Sequence, residues 1–164
     1  MNIFFPKEHI NEARFSLTGE TAEKFLKKNI DLYVEETVQF QDALLNNLIE
    51  TAKVKTISRQ QGLSTADIIC SLNKLSLDDI ALVKQDTLVV SFLDPFNEVE
   101  LISELKNRSI SSISMELVPR TTRAQKMDAL SSQANLAGYS AVIIASNHLE
   151  KALPMMMTAA GTIS

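Results

Sequence analysis

Short apolar runs alternate with amphipathic segments along most of this chain, and that alternation constrains its fold more than any single residue does. Asn2 to Phe5 reads as a strand ended by Pro6, which has no backbone donor. Thr18 to Lys28 reads as a helix with Ala22, Phe25 and Leu26 as its buried stripe. Ile30 to Glu35 reads as a strand in which Ile30, Leu32 and Val34 alternate. Gln39 to Lys53 has helical spacing through Phe40, Leu44, Leu45 and Leu48. Thr65 to Leu72 holds the buried-strand run Ala66-Asp67-Ile68-Ile69-Cys70. A short helix is expected over Ser76 to Leu82, a buried strand over Thr87 to Leu93, and a helix over Asn97 to Arg108 with Val99, Leu101, Ile102 and Leu105 inward. Ile110 to Leu117 follows as a strand. A helix begun near Lys126 then runs to Leu149, with a small-residue face of Ala134, Ala137, Gly138 and Ala141 that suits close packing against a neighbour. The order implies βαβ units: an α/β, three-layer fold around a mostly parallel sheet. Chemistry in such folds collects at the carboxyl ends of the strands. Pro6-Lys7-Glu8, Asp94-Pro95 and Pro119-Arg120 each follow a strand and are expected on that rim.

Composition narrows the function. The 164 residues are one domain's worth, 45% hydrophobic and 22% charged, which is ordinary for a soluble globular chain. A net charge of −4 offers no electrostatic footprint for nucleic acid. Cys70 is the only cysteine, so an intramolecular disulfide is excluded and a reducing compartment fits best. Its apolar run marks it as a core thiol. His9 and His148 lie far apart, which speaks against a zinc site; His148 reads as a helix-end residue and His9 as a rim-loop residue. Met1 to Pro6 is too short for a secretion signal. The run between Asp128 and Glu150 lacks Asp, Glu, Lys and Arg. It nevertheless carries Ser131, Ser132, Gln133, Asn135, Ser140, Ser146 and Asn147, too polar to insert directly into a membrane. Neither GxGxxG nor GxxxxGK[ST] occurs, so no phosphate-cradling loop is present.

One segment carries most of the chemical information, Val118 to Tyr139. It reads as a strand end, a polar turn and a helix start. Asp128, Ser131 and Asn135 fall on one helix face, with Arg120 and Gln125 just before it. Two readings are open. An Arg, an amide, a carboxylate and a hydroxyl converging near a strand end suit a carboxamide-bearing ring. The same residues suit helix capping, with Asp128 offsetting the dipole and pairing with Arg120 or Arg123. The apolar tail Pro154 to Gly161 reads either as a connector or as a core-packed strand or coil; Met155, Met156 and Met157 read as packing residues.

From Pro119 to Tyr139 the chain matches the pattern PRxxRAQxxDxLSSQxNxAGY, and there it resembles the alpha subunits of proton-translocating NAD(P) transhydrogenases. Phe5-Pro6-Lys7-Glu8 with Asn11-Glu12-Ala13-Arg14 resembles the opening shared by alanine dehydrogenases and transhydrogenases. Met155 to Thr162 resembles the segment leading into the family's Rossmann domain. The resemblance implies a flavodoxin- or Rossmann-like lobe over residues 1–150 and a connector over 151–164 toward a second, NAD-binding domain. It implies an oxidoreductase component in which hydride passes between NAD(H) here and NADP(H) on a partner component, coupled to proton movement through a membrane component. A homodimer is implied, as is a cytoplasmic location, peripheral on the membrane through partner subunits. By motif position, Arg120, Gln125, Asp128 and Ser131 match the family's residues around the nicotinamide. Arg120 would contact the ring or its carboxamide. Gln125 would lie near the nicotinamide ribose and the incoming second nucleotide, and Asp128 and Ser131 would fix the carboxamide. The isolated lobe is expected to be inactive.

The chain departs from the family pattern in its first half. Phe4-Phe5 replaces a small residue and Ile before Pro6, Phe15-Ser16 replaces Val-Ala, and Gly19 stands where Pro is common. Ser71 lies near the position of the substrate-binding Lys of alanine dehydrogenases, and Ser91-Phe92-Leu93 occupies the region of their active-site His. Deamination of alanine is therefore not expected. Two alternatives stand beside the transhydrogenase reading: a non-catalytic truncated remnant serving as an interaction domain, and an alanine-dehydrogenase-like fragment.

Overall fold

The computed structural model describes residues 1–36, 38, 40–149 and 156–163. They fall into two units, Met1–Leu117 and Val118–Ser164. The first is built on six strands, β1 (Asn2–Phe5), β2 (Asp31–Glu35), β3 (Val54–Ile57), β4 (Ile68–Cys70), β5 (Leu88–Ser91) and β6 (Ser111–Ser114). They form a single sheet in the order β3-β2-β1-β4-β5-β6. Every pairing is parallel, with Phe4 beside Tyr33 on one side and Ile69 on the other. The expected α/β class and parallel sheet are thus present. The direction of winding reverses between β1 and β4, the place where open α/β sheets leave a crevice at their carboxyl edge.

Helices cover both faces. Ala22 of α1 (Gly19–Leu26) and Leu45 and Leu48 of α2 (Ala43–Glu50) pack with Ile3, Phe5, Leu32 and Val34 in one core. Leu63 of α3 (Arg59–Thr65), Ile80 of α4 (Leu77–Leu82) and Leu101 and Leu105 of α5 (Val99–Asn107) pack with Phe4, Ile69 and Val89 in the other. Central β1 feeds both cores, because successive side chains point to opposite faces. The two edge strands carry the polar residues: Lys55 and Thr56 on β3 and Ser111 and Ser112 on β6 are exposed.

The structure corrects several boundaries. The expected helix 39–53 is shorter, because Asp42 caps it by accepting from the N–H groups of Leu44 and Leu45 at 3.0 Å. The expected strand 65–72 shrinks to Ile68–Cys70, and β3 and α3 precede it. Both elements escape a periodicity reading, since β3 buries only Val54 and α3 contains Gly62. That glycine is a packing requirement: a β-carbon there would lie 2.4 Å from the ring of Phe4. Bulky Phe4 in place of a smaller residue is accommodated by this glycine. Phe5 and Phe15 likewise pack as a pair, and Phe15 meets Phe40 edge-on at 4.8 Å between centroids. Past β6, Met115–Leu117 forms a 3-10 turn rather than further strand.

The second unit holds a 3-10 turn over Gln125–Met127, α6 (Ala129–His148) and an antiparallel hairpin of β7 (Met156–Thr158) and β8 (Gly161–Ile163). The reading of Met155 and Met156 as packing residues, and the start of the tail at Pro154, lie outside what is described, whereas Met157, expected to pack, is exposed because no described residue covers it in its short hairpin strand. His148 closes α6, and the small residues Ala134, Ala137, Gly138 and Ala141 are exposed on it. No helix among the described residues is long and apolar enough to cross a membrane.

Backbone strain gives a direct test. Ala52 (φ 55°) and Ser109 (φ 56°) sit just past the ends of α2 and α5 in the left-handed region that glycine favours. Ala52→Gly and Ser109→Gly should each stabilise the protein by about 0.5–1 kcal/mol. Gly62→Ala should destabilise by about 1–3 kcal/mol through overpacking against Phe4, despite the better helix propensity of alanine. Urea denaturation of the three variants measures all of these effects.

Candidate functional site

The carboxyl rim of the first unit is stitched together by carboxylates. Arg59, at the start of α3, donates from Nε and Nη2 to the two carboxylate oxygens of Asp79, both at 2.8 Å. Its Nη1 donates to Glu35 Oε2 at 2.8 Å and to the carbonyl of Lys7 at 3.2 Å. Glu35, at the end of β2, also accepts the backbone N–H of Lys7 at 2.9 Å. The Asp79 hydrogen bonds, outweighing the cost of burial, hold Arg59 above its ordinary range. Burial raises Asp79, but the Arg59 guanidinium more than offsets it and keeps the carboxyl low. Glu8 crosses the switch point: it accepts the N–H groups of Leu72 and Asn73 at 2.7 and 3.0 Å and the Asn73 amide at 3.2 Å. Between these ties lies a cavity of about 300 Å3 lined by Lys7, Glu8, His9, Glu35, Arg59 and Ser71, among others. Spacing gave no hint of this network, because its members come from four separate elements.

A dinucleotide in such a crevice would use the N-terminus of the first helix. Here two of those donors are engaged. Thr18 accepts from Thr21 N, and the N–H of Gly19 donates to Asp42 Oδ2 at 2.7 Å. Proline at position 19 could not make the second bond, which accounts for the departure there. In the same loop Arg14 is chelated by Glu12, with Nε and Nη2 at 2.8 and 2.6 Å, and the Arg14 side chain and N–H hold the Glu12 carboxyl down at about 2. Ser71 and Ser91 are buried at the ends of β4 and β5. Ser91 Oγ donates to the carbonyls of Leu72 and Phe92, and Ser71 Oγ has no hydrogen-bond partner among the described residues. Cys70 is half-buried, and burial pushes its thiol up to about 11. No group of three metal-ligating residues stands together among the described residues.

The second unit, taken by itself, holds all four residues singled out in the sequence. Asp128 is the N-cap of α6: Oδ1 accepts the Ser131 N–H at 2.9 Å and Oδ2 accepts the Ser131 hydroxyl at 2.6 Å. These bonds hold the carboxyl below its usual range, with a further contribution from Arg120, whose Nε lies 3.9 Å away. The Arg120 side chain is 71% exposed, whereas that of Asp128 is 12% exposed. Gln125 opens the preceding 3-10 turn and is exposed, and the N–H of Asp128 donates to its carbonyl at 3.3 Å. The geometry therefore realises the capping arrangement, and it also gathers Arg120, Asp128 and Ser131 at one exposed helix start. Pro119-Arg120, expected on the strand rim, belongs to this second unit.

Residues 4–137 match the family model described as "Alanine dehydrogenase/PNT, N-terminal domain". The chain belongs to that family. Within it, a split NAD(P) transhydrogenase alpha subunit of Rickettsia prowazekii, in its first portion, is 41% identical over 170 residues, covering 100% of this chain and 44% of the relative. Its counterpart from Rhodospirillum rubrum is 34% identical, covering 99% and 44%. The solved transhydrogenase of Sinorhizobium meliloti superposes with a TM-score of 0.80 at 38% identity, over 99% of this chain and 49% of that one. An L-alanine dehydrogenase shares the fold at a TM-score of 0.63 and 19% identity, over 75% of this chain and 34% of that one. The chain thus spans less than half the length of these relatives.

The rim network makes a measurable prediction. Arg59→Met leaves Asp79 and Glu35 without their shared cation and should cost about 2–4 kcal/mol at pH 7, less than a fully buried pair because Arg59 is one-third exposed. Asp79 is held low in the folded state, so its contribution is present above the ordinary carboxylate range and lost as pH falls through its folded value. The penalty of Arg59→Met should accordingly shrink on acidification, which urea titrations between pH 7 and pH 3 will follow.

Proposed function

We propose that this chain forms the N-terminal lobe of the NAD(H)-binding component of a proton-translocating NAD(P) transhydrogenase. The observation that carries the reading is the convergence of Arg120, Asp128 and Ser131 at an exposed helix start inside the stretch matched to the family. The donor set suits a carboxamide: the Arg120 guanidinium can donate to its oxygen, while Asp128 and the Ser131 hydroxyl can accept from its nitrogen. Gln125 supplies both a donor and an acceptor on the turn before. The nicotinamide supplies the hydride chemistry itself when bound. What the chain contributes is positioning, fixing which face of a ring is presented.

The engaged N-terminus of α1 supports the companion reading that pyrophosphate contacts come from a second lobe, reached through the connector 151–164. NADP(H) is then held on a partner component, with a membrane component completing the complex. The subunit names of the relatives agree with such an assembly. A homodimer, and a peripheral cytoplasmic location reached through partner subunits, complete the proposal. Ser71 and Ser91, with neither a cationic nor an acid–base side chain, support a hydride-transfer role over alanine deamination.

Two measurements test this. Residues 1–164 alone should show no micromolar NADH affinity by isothermal titration, since the phosphate-binding donors are lacking; tight binding overturns the two-lobe assignment. Asp128→Asn separates capping from binding, because asparagine caps helices as well as aspartate does. In the assembled enzyme it should leave the melting temperature nearly unchanged and lower hydride transfer at least about tenfold, the scale of one charge-assisted contact. Unchanged transfer would leave Asp128 with its capping role alone.

A further inference from the structure

The segment before α6 has a charge pattern that the nicotinamide assignment leaves unused. Of the 20 acids in the chain, all but Asp128 and Glu150 lie in Met1–Leu117, whereas four of the 16 basic residues lie beyond it. Between Val118 and Leu149 stand Arg120, Arg123 and Lys126 against the single carboxylate of Asp128. Arg123 and Lys126 are exposed, and neither forms an ion pair among the described residues. Their backbone is held in place: the 3-10 turn that follows Arg123 and carries Lys126 is closed by the Met127 N–H donating to the Ala124 carbonyl at 2.8 Å, and Ala124 is buried while its neighbours are exposed. Two exposed cations thus precede α6 on an acidic chain, Lys126 two residues and Arg123 five residues before Asp128, so that Lys126 lies within about 7 Å of the Asp128 Cα on the reach of an extended backbone.

A direct hydride transfer brings the reacting atoms to about 3–3.5 Å. The second dinucleotide therefore brings its own phosphate groups toward this turn as it arrives. We infer that Arg123 and Lys126 form an electrostatic collar that attracts the phosphate groups of the NADP(H) carried by the partner component as it docks against the Arg120–Ser131 site. This rests on the proposed function. Like other rim charges of opposite sign, the collar acts on encounter and docking more than on the chemical step, and salt screens it.

The test uses the assembled NADH-loaded component and the NADP(H)-binding component, loaded or empty, with binding followed by surface plasmon resonance at low salt and at 0.5 M salt. R123Q/K126Q should weaken binding of the loaded partner about tenfold at low salt. The difference should vanish at 0.5 M salt, and binding of the empty partner should match wild type. K126E should act in the same direction, and NADH affinity, read by fluorescence titration, should not change in any of them. Equal binding by wild type and R123Q/K126Q overturns the inference. So does an equal loss with loaded and empty partner, which would assign the collar to an acidic protein surface instead. NADH titration of D128N reports separately on the underlying site: unaltered affinity there removes the nicotinamide assignment without involving Arg123 or Lys126.

Discussion

Arg59 is shared between Asp79 and Glu35, and the carboxyl rim of the sheet is organised around that sharing. Through it the start of α3 is tied to the first turn of α4, to the end of β2 and to the loop leaving β1. A guanidinium presents its donors in a rigid fork, so it fixes both distance and orientation between the elements it joins. Removing it would leave carboxylates partly buried without a counter-charge, which is why the network behaves as a unit. Glu8 and Asp42 repeat the device with backbone N–H groups as donors, bridging β1 to β4 and α1 to α2.

The consequence is a rim whose polar groups are largely spoken for. The winding order matches that of dinucleotide-binding sheets, yet the loop after β1 occupies the switch point and the first helix has two of its N-terminal donors engaged. Topology alone does not assign a ligand to this rim, since ligands depend on the site rather than the sheet. At the start of α6, by contrast, Asp128 and Ser131 are hydrogen-bonded to each other. Arg120, Gln125, Arg123 and Lys126 stand exposed around them.

Residues that set the first half apart from the family pattern each meet a partner elsewhere in the chain. Phe4 requires Gly62, and Phe15 packs between Phe5 and Phe40 while Ser16 donates to the Cys70 carbonyl at 3.0 Å. Gly19 frees a donor that Asp42 takes. Each looks like an isolated oddity along the chain, and each becomes an ordinary packing or hydrogen-bonding solution once its partner is known.

The α/β class, four of the helices of the first unit and five of its six strands were legible because apolar periodicity is a local signal, strongest where burial is complete, as in Val89 or Ile3 to Phe5. The polar cluster at the start of α6 stood out too, since a dense motif of polar residues is local. The edge strand β3 and the glycine-bearing α3 were not, because a half-exposed strand needs only one buried residue and Gly62 is explained by Phe4, fifty-eight positions away. Ion pairing among Glu35, Arg59 and Asp79, the Glu8 bridge and the capture of Gly19 by Asp42 were decided by tertiary structure alone. Coulomb and hydrogen-bond energies depend on distances of about 3 Å, and only the folded backbone brings such separated positions that close.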